Sequence, residues 1–278
     1  MSIPRILHYP GSKWSMYENW IGDKLESIMQ AMPIHHYLES HFGSGAIFFN
    51  KPPSSLETIN DIDEDVTNLF SVIRSQPDEL ADLIRWTPWS RQEYYDSYER
   101  EKLTDIERAR RFLIRCWMAR GGKTSDRTGW RHNVDITHCP NRPAVKRWRD
   151  MPEIIMETAE RLKGVQIERQ PATKLLERCA RPDVIVYCDP PYILSTRSKR
   201  LYKNEMTDDD HVELLEVLDK HPGPVLLSGY AHPIYDDRLK DWSRETKQVK
   251  AEAGKTRTEV LWINPIAAEH TGRQLTLF

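Results

Sequence analysis

The chain has 278 residues, 39% of them hydrophobic, with a formal net charge of −2, enough for one large domain or one domain carrying an insertion. No stretch approaches the roughly 18 apolar residues of a membrane helix, and the start, "MSIPRILHYPGSKW", lacks the charged and apolar regions of a signal peptide, which predicts a cytoplasmic protein. The charge is unevenly spread: residues 100–149 hold 14 Lys/Arg against 5 Asp/Glu, so a basic segment sits on an acidic remainder. Such a segment is either a face that meets phosphates or a solvated helical surface. The cysteines Cys116, Cys139, Cys179 and Cys188 show no CxxC spacing and read as reduced and structural. His132, His138 and Cys139 lack a second closely spaced ligand pair, so no metal site is predicted.

In chain order, "WIGDKLESIMQAM" (20–32) reads as an amphipathic helix and "HHYLES" (35–40) as a short strand. "FGSGAIFFN" (42–50) is a glycine turn running into an apolar helix, and "LETIN" (56–60) is a second strand that ends in Asp61 before a helix at 63–74. Strand, glycine turn, helix, strand, acid is the order of a nucleotide-binding unit. From 77 to 162 the pattern is helical: "PDELADLIRW", "SRQEYYDSYER", "TDIERARRFLIRCWMAR" and "MPEIIMETAERLK". Between the last two lies a basic, irregular stretch, "GGKTSDRTGWRHNVDITHCPN" (121–141), too long for a simple connector. Alternation resumes with "GVQIE", a helix at 172–179, a strand at 183–188, a helix after the Thr207 cap and the strand "PVLLSGY". Two further strands are predicted at 243–249 and 258–264. The chain therefore divides into sheet residues 1–76, a helical insertion 77–162, sheet residues 163–265 and a tail 266–278.

"FGSG" permits a tight turn and close backbone approach by a ligand, but Phe48 stands where a third glycine of a dinucleotide motif would be. Asp61, at the end of the next strand, is placed either to accept bonds from a ribose diol or to cap the helix that follows. "VIVYCDPPYIL" (184–194) begins as a buried strand and stops at two prolines. Each proline removes a backbone donor, so Asp189 and the Pro190 carbonyl become fixed acceptors. Two acceptors and an aromatic ring, Tyr192, suit a planar amine: the pair of N–H groups is gripped and the nitrogen lone pair aimed at an electrophile. An ordinary strand-ending turn is the alternative.

"YCDPPY" (187–192) resembles the catalytic motif of amino-methyltransferases, and the order of motifs resembles the adenine-N6 DNA methyltransferases of the Dam-like, D12 class. "HYPGSK" (8–13) is similar to that class's N-terminal cofactor motif, "ESHFGSG" (39–45) to its glycine motif and "INDIDEDVTNLF" (59–70) to its acid motif; "SGY" (228–230) and "EVLWIN" (259–264) match later strands. The resemblance spans about residues 1–265. It implies an α/β fold, a Rossmann-like S-adenosylmethionine-dependent methyltransferase sheet with a helical, basic DNA-recognition insertion. It implies S-adenosylmethionine as methyl donor, with Tyr9, Gly11 and Lys13 near its methionine end, Glu39, Phe42, Gly43 and Gly45 beneath it, Asp61 at the ribose, and Asp189 facing both donor and base. Asp189, Pro190, Pro191 and Tyr192 would hold an adenine flipped from duplex DNA. Two departures stand out: Ser40 and His41 follow Glu39 where the class usually has Pro-Phe, and "ERQPATKLL" (168–176) lacks the acid expected after its strand.

In the basic stretch, Arg120, Lys123, Arg127 and Arg131 are candidates for phosphate contact. "WRHN" resembles the Arg-x-Asn of Dam-like recognition loops, Arg131 suiting guanine and Asn133 adenine, with phosphate contact alone as the other reading. Trp130 is either an intercalating wedge or a buried anchor. "QLTLF" (274–278), with Gln274, Leu275, Leu277 and Phe278, resembles the peptide by which bacterial enzymes dock on the replication sliding clamp. The expected function is site-specific adenine methylation of double-stranded DNA by a monomer or weak dimer in a bacterial or phage-infected cell. The rivals are N4-cytosine methylation and a catalytically silent DNA- or clamp-binding protein.

Overall fold

The computed structural model describes residues 3–122, 126–132, 143–197, 200–250 and 256–271. In chain order it contains α1 (Trp14–Met16), a π-helical turn (Tyr17–Ile21), α2 (Gly22–Ala31), β1 (His36–Glu39), β2 (Leu56–Asn60), α3 (Glu64–Ser75), α4 (Pro77–Arg85), α5 (Arg91–Asp96) and α6 (Asp105–Met118). There follow α7 (Pro143–Arg149), α8 (Met151–Leu162), β3 (Gln166–Glu168), α9 (Ala172–Arg178), β4 (Val184–Cys188), α10 (Asp208–Asp219), β5 (Val225–Gly229), α11 (Pro233–Asp236), β6 (Ser243–Lys250), β7 (Thr256–Ile263) and α12 (Pro265–Ala268). One seven-stranded sheet has the order β3-β2-β1-β4-β5-β7-β6. Its first five strands run parallel and β7 is antiparallel to both β5 and β6. The order is that of a Rossmann-like sheet with one reversed strand, and its switch point lies between β1 and β4.

Alternation along β4 divides the core. Val184, Val186 and Cys188 face one apolar layer with Leu175, Leu214 and Trp262, while Ile185 and Tyr187 face the other with Tyr37, Ile59 and Phe70. A strand buried on both faces reads as a continuous apolar run, which is why Val184–Cys188 was legible. Helices α4, α6 and α8 pack on α3 and share the second layer, so the helical segment continues the sheet's own core.

One expectation is corrected, one alternative is excluded and one element was not foreseen. Residues 42–50 form turns rather than an apolar helix: Phe42, Phe48, Phe49 and Phe70 interlock edge to face, with centroids 4.8–5.6 Å apart for the closest pairs, and the Asn50 amide takes the Ala46 carbonyl at 2.7 Å. Pro52 and Pro53 then forbid further helical bonds. The helix after β2 is capped by Asp63, whose carboxylate accepts from Asp65 N, not by Asp61. Helix α7 is not among the elements expected from the sequence; its packing on α6 and α8 supplies what its basic composition does not announce. Thr207, by contrast, forms the capping box expected of it with Asp210. Among the described residues no helix is long and apolar enough to cross a membrane.

Candidate active site

Parallel register brings three strand ends together: Glu39 lies opposite both Ile59 and Tyr187. The C-terminal ends of β1, β2 and β4 thus deliver Glu39, Asp61 and Asp189 to one crevice. A cavity of about 470 Å³ opens there, lined among others by Tyr9, Gly11, Lys13, Glu39, Phe42, Gly43, Asp61, Asp189 and Pro191, a size suited to a small organic ligand. Gly45 lies behind the wall, at φ +64°, where a Cβ would run into the rings of Phe42 and Phe49.

Asp61 is already committed. Its Oδ2 accepts from Gly43 N at 2.8 Å and its Oδ1 from Asp63 N at 2.9 Å. The carboxylate therefore ties the glycine turn to the end of β2. Burial lifts it to about 6, against the pull of those two N–H groups. Glu39, 2% exposed, is raised by burial to about 8 and accepts from the Tyr37 hydroxyl at 2.7 Å.

At the end of β4, Asp189 Oδ2 pairs with Lys13 Nζ at 2.9 Å, whereas its Oδ1 is buried and has no partner among the described residues. Burial raises the Asp189 carboxyl, Lys13 opposes that rise, Glu259 adds to it and the nearby Tyr192 hydroxyl lowers it slightly. Burial likewise works against the Lys13 charge, yet Asp189 and Glu259 carry its pKa upward. The Lys13 ammonium also lies 4.7 Å from the centroid of the Tyr192 ring. Pro190 is buried. Tyr192 follows the two prolines and is not among the cavity's lining residues, its hydroxyl donating to Glu259 Oε2 at 2.6 Å and its ring meeting Tyr230 edge-on at 4.4 Å.

Several residues that form this site were not singled out from the sequence. Asn60 bridges three strand ends: its amide donates to the Ser40 and Gln170 carbonyls at 2.9 and 3.1 Å and accepts from Gln170 N at 3.1 Å. Gln170 lines the cavity after β3, where the resemblance leads one to expect an acid. Tyr202 forms part of the opposite wall, its hydroxyl donating to the Pro10 carbonyl at 3.3 Å. Arg197 donates to the Tyr192 carbonyl at 2.8 Å and pairs with Glu205, whose carboxylate also caps Leu201 N and Tyr202 N. The only local hint was Asn60 itself, a polar residue closing an apolar strand.

Among the described residues, the candidate DNA residues Arg120, Arg127, Trp130 and Arg131 do not line the cavity; they follow α6 in the chain. Arg120 is exposed and meets His132 at 3.2 Å. Arg127 lies over the rings of Tyr95 and Tyr98 at 5.2 and 5.3 Å. Trp130 packs against the core, stacked on His132 and covered by Arg91 at 4.9 Å, the arrangement of an anchor. Arg131 is fixed through its backbone, N to the Met118 carbonyl at 2.7 Å and carbonyl to Trp89 Nε1 at 3.0 Å. Lys123, Asn133, Gln274, Leu275, Leu277 and Phe278 lie outside the described residues.

The model of the D12 class N6 adenine-specific DNA methyltransferases matches residues 9–256. The chain belongs to that class. It is accordingly an adenine-specific DNA methyltransferase, with DNA as its substrate and a methyl donor as its co-substrate. It is 26% identical over 248 residues to a type II methyltransferase of Lactococcus lactis subsp. cremoris, covering 82% of this chain and 85% of that one. Among solved structures, the Escherichia coli chain yhhF, named as a methyltransferase, covers 88% of this chain and 84% of its own at 10% identity and a TM-score of 0.34.

Proposed function

We propose that this methyltransferase takes the methyl group of S-adenosylmethionine to N6 of an adenine turned out of duplex DNA into the cavity between β1 and β4. One observation carries the reading: Asp189 Oδ1 is a buried acceptor with no hydrogen-bond partner among the described residues, on a residue that lines the same cavity as Tyr9, Gly43 and Asp61. A buried acceptor left unpaired costs about 1–3 kcal/mol, and a substrate amine would relieve that cost.

The donor supplies an electrophilic methyl carbon. Tyr9, Gly11, Lys13, Glu39, Phe42, Gly43, Asp61 and Asp189 surround the space proposed for it, with Gly45 keeping the turn's backbone low. Asp189 Oδ1 and the Pro190 carbonyl accept the two amine hydrogens, drawing the nitrogen towards tetrahedral geometry so that its lone pair faces the methyl carbon. As the carbon–nitrogen bond forms and the sulfur–carbon bond breaks, the nitrogen proton held by Asp189 becomes acidic and leaves to solvent. Lys13 keeps Asp189 ionised for this task, while Glu259 holds Tyr192 for stacking on the base. A base inside the stack is beyond reach of such a corner, which favours flipping. Arg120, Lys123, Arg127, Trp130, Arg131 and Asn133 are proposed to meet the duplex, and the Gln274–Phe278 peptide to dock on the sliding clamp.

The test is to incubate the wild type and Asp189→Ala with S-adenosylmethionine and unmethylated DNA and to quantify N6-methyladenine and N4-methylcytosine by nucleoside mass spectrometry. N6-methyladenine from the wild type alone, with DNA binding retained by the variant, is expected. N4-methylcytosine instead would move the reaction to cytosine, and a variant that no longer binds DNA would show that Asp189 is not simply the acceptor for the amine.

A further inference from the structure

An indole has one donor and no acceptor, so a buried tryptophan N–H can be committed only once, and those of Trp130 and Trp262 have no partner among the described residues. Trp117 commits its N–H to the Ile6 carbonyl at 2.8 Å, Trp89 to the Arg131 carbonyl at 3.0 Å and Trp148 to the Thr87 carbonyl at 2.9 Å. With Arg131 N bonded to the Met118 carbonyl and Trp89 packed edge-on against Trp148 at 6.3 Å, these bonds draw residues 5–8, residue 131 and α7 to the C-terminal end of α6. Two segments far apart in sequence are thus held through backbone groups near the end of α6, and α7 joins them through the Trp148 side chain on Thr87 and Trp89.

What that scaffold gathers is positive charge. Arg5 is half-buried, its guanidinium over the Trp14 ring at 5.8 Å. Burial and then the charge of Arg147 lower its proton affinity. Burial, Arg131 and Arg5 together push His8 down to about 4, so His8 stays neutral, with a buried Nδ1 that has no partner among the described residues. The arginines of α6 are different: Arg108, Arg110, Arg111 and Arg115 are all paired with acids. Neither Arg5 nor Arg147 has an acid partner among the described residues. Like charges held together on a rigid support oppose folding unless an external anion completes them.

We propose that Arg5 and Arg147, beside the fixed Arg131, form a phosphate-binding site for the DNA backbone where the N-terminal segment meets the helical insertion. The inference rests on the DNA reading above and adds to it a contact outside the 121–141 stretch. Guanidinium groups suit the task because their donors form a planar fork matching two phosphate oxygens. Phosphate contacts fix the register of a protein on the duplex and carry no sequence information, so the site would place the insertion without choosing the target.

The experiment measures duplex affinity by fluorescence anisotropy across a salt series for the wild type, Arg5→Met, Arg147→Met, the double variant and Arg5→Lys. Each lost charge is expected to flatten the slope of log affinity against log salt by about 0.9. The double variant should lose about twice that. The loss should be equal on a target duplex and on one lacking the target, and Arg5→Lys should keep the wild-type slope. Melting temperature and S-adenosylmethionine affinity, both expected at wild-type values, report that the variants are folded. Unchanged slopes in folded variants, or a loss confined to the target duplex, overturn the site while leaving the methyltransferase reading intact. A wild type that neither binds nor methylates DNA overturns the DNA reading itself.

Discussion

Replacing Lys13 by Met removes the ammonium 2.9 Å from Asp189 and keeps the length of the stem. Asp189 is then left with burial and the charge of Glu259, which raise its pKa, against the smaller lowering by the Tyr192 hydroxyl. An opposite charge at such range depresses a carboxyl by about 1–3 units, so its removal lifts Asp189 by that amount, ~1.4–4 kcal/mol at 1.36 kcal/mol per unit. The ionised carboxylate is the form that grips the amine. Activity is therefore present above the Asp189 pKa and lost as pH falls through it, and a raised pKa moves the acid limb to higher pH. The assay is kcat against pH, from about 5 to 10, with saturating S-adenosylmethionine and duplex, since kcat reports the groups of the bound complex. The acid limb of Lys13→Met is expected to move up by about 1–3 pH units, with rate recovered on the alkaline side, while Lys13→Arg stays close to the wild type. A uniform drop at every pH, with the limb in place, would refute the argument and leave Lys13 as a spacer rather than a charge.

Two further substitutions test the support of the site. Gly45→Ala forces a side chain into a φ of +64° and brings its Cβ to 2.6 Å from the Phe49 ring; a loss of ~2–4 kcal/mol in chemical unfolding is expected, and one under about 1 kcal/mol would mean the turn yields easily. Glu57→Gln strips the buried carboxylate, 4% exposed, that Lys51 and Arg161 share, and should cost ~3–5 kcal/mol by leaving two cations uncompensated. Urea unfolding at constant m-value decides it, and a variant as stable as the wild type would show that water reaches the pair.

What the sequence revealed was local. The β-branched run at Val184–Val186, the strand closed by Asn60 and Asp61, and the Thr207 cap each carry their signal within a few residues, and the structure has β4, β2 and α10 in those places. Where sequence reasoning failed, distant side chains decided. Four phenylalanines from two segments turned 42–50 away from a helix, and Tyr192 meets Glu259 across 67 residues of sequence. Asp61 had two readings, cap or ligand contact. In the cavity wall it also joins Gly43 to Asp63, a further use that residue type and spacing do not reveal. Charge counting was informative only in outline. Much of the positive excess in α6 is consumed by Glu93, Glu107, Glu64 and Asp65, and the charge free for an external partner lies partly at Arg5, outside the segment whose composition drew attention.

That displacement of charge gives the N-terminal segment two duties on one short piece of chain. Ile6 is held by Trp117, Pro10 by the Tyr202 hydroxyl, Gly11 turns at φ +73°, and Lys13 ends the run against Asp189. Six residues separate Ile6 from Lys13, with fixed points at both ends and in the middle, so little slack is left to absorb a displacement. On the readings proposed above, a phosphate engaging Arg5 acts on the same stretch that presents Lys13 to the acceptor corner and Tyr9 to the donor cavity. Communication between DNA docking and the catalytic carboxylate then requires no relay through the sheet, because both contacts belong to one pinned segment. The insertion contributes the pins, through Trp117 and the Trp89–Arg131 bond, which gives a physical reason for its sharing a core with the sheet rather than folding apart from it.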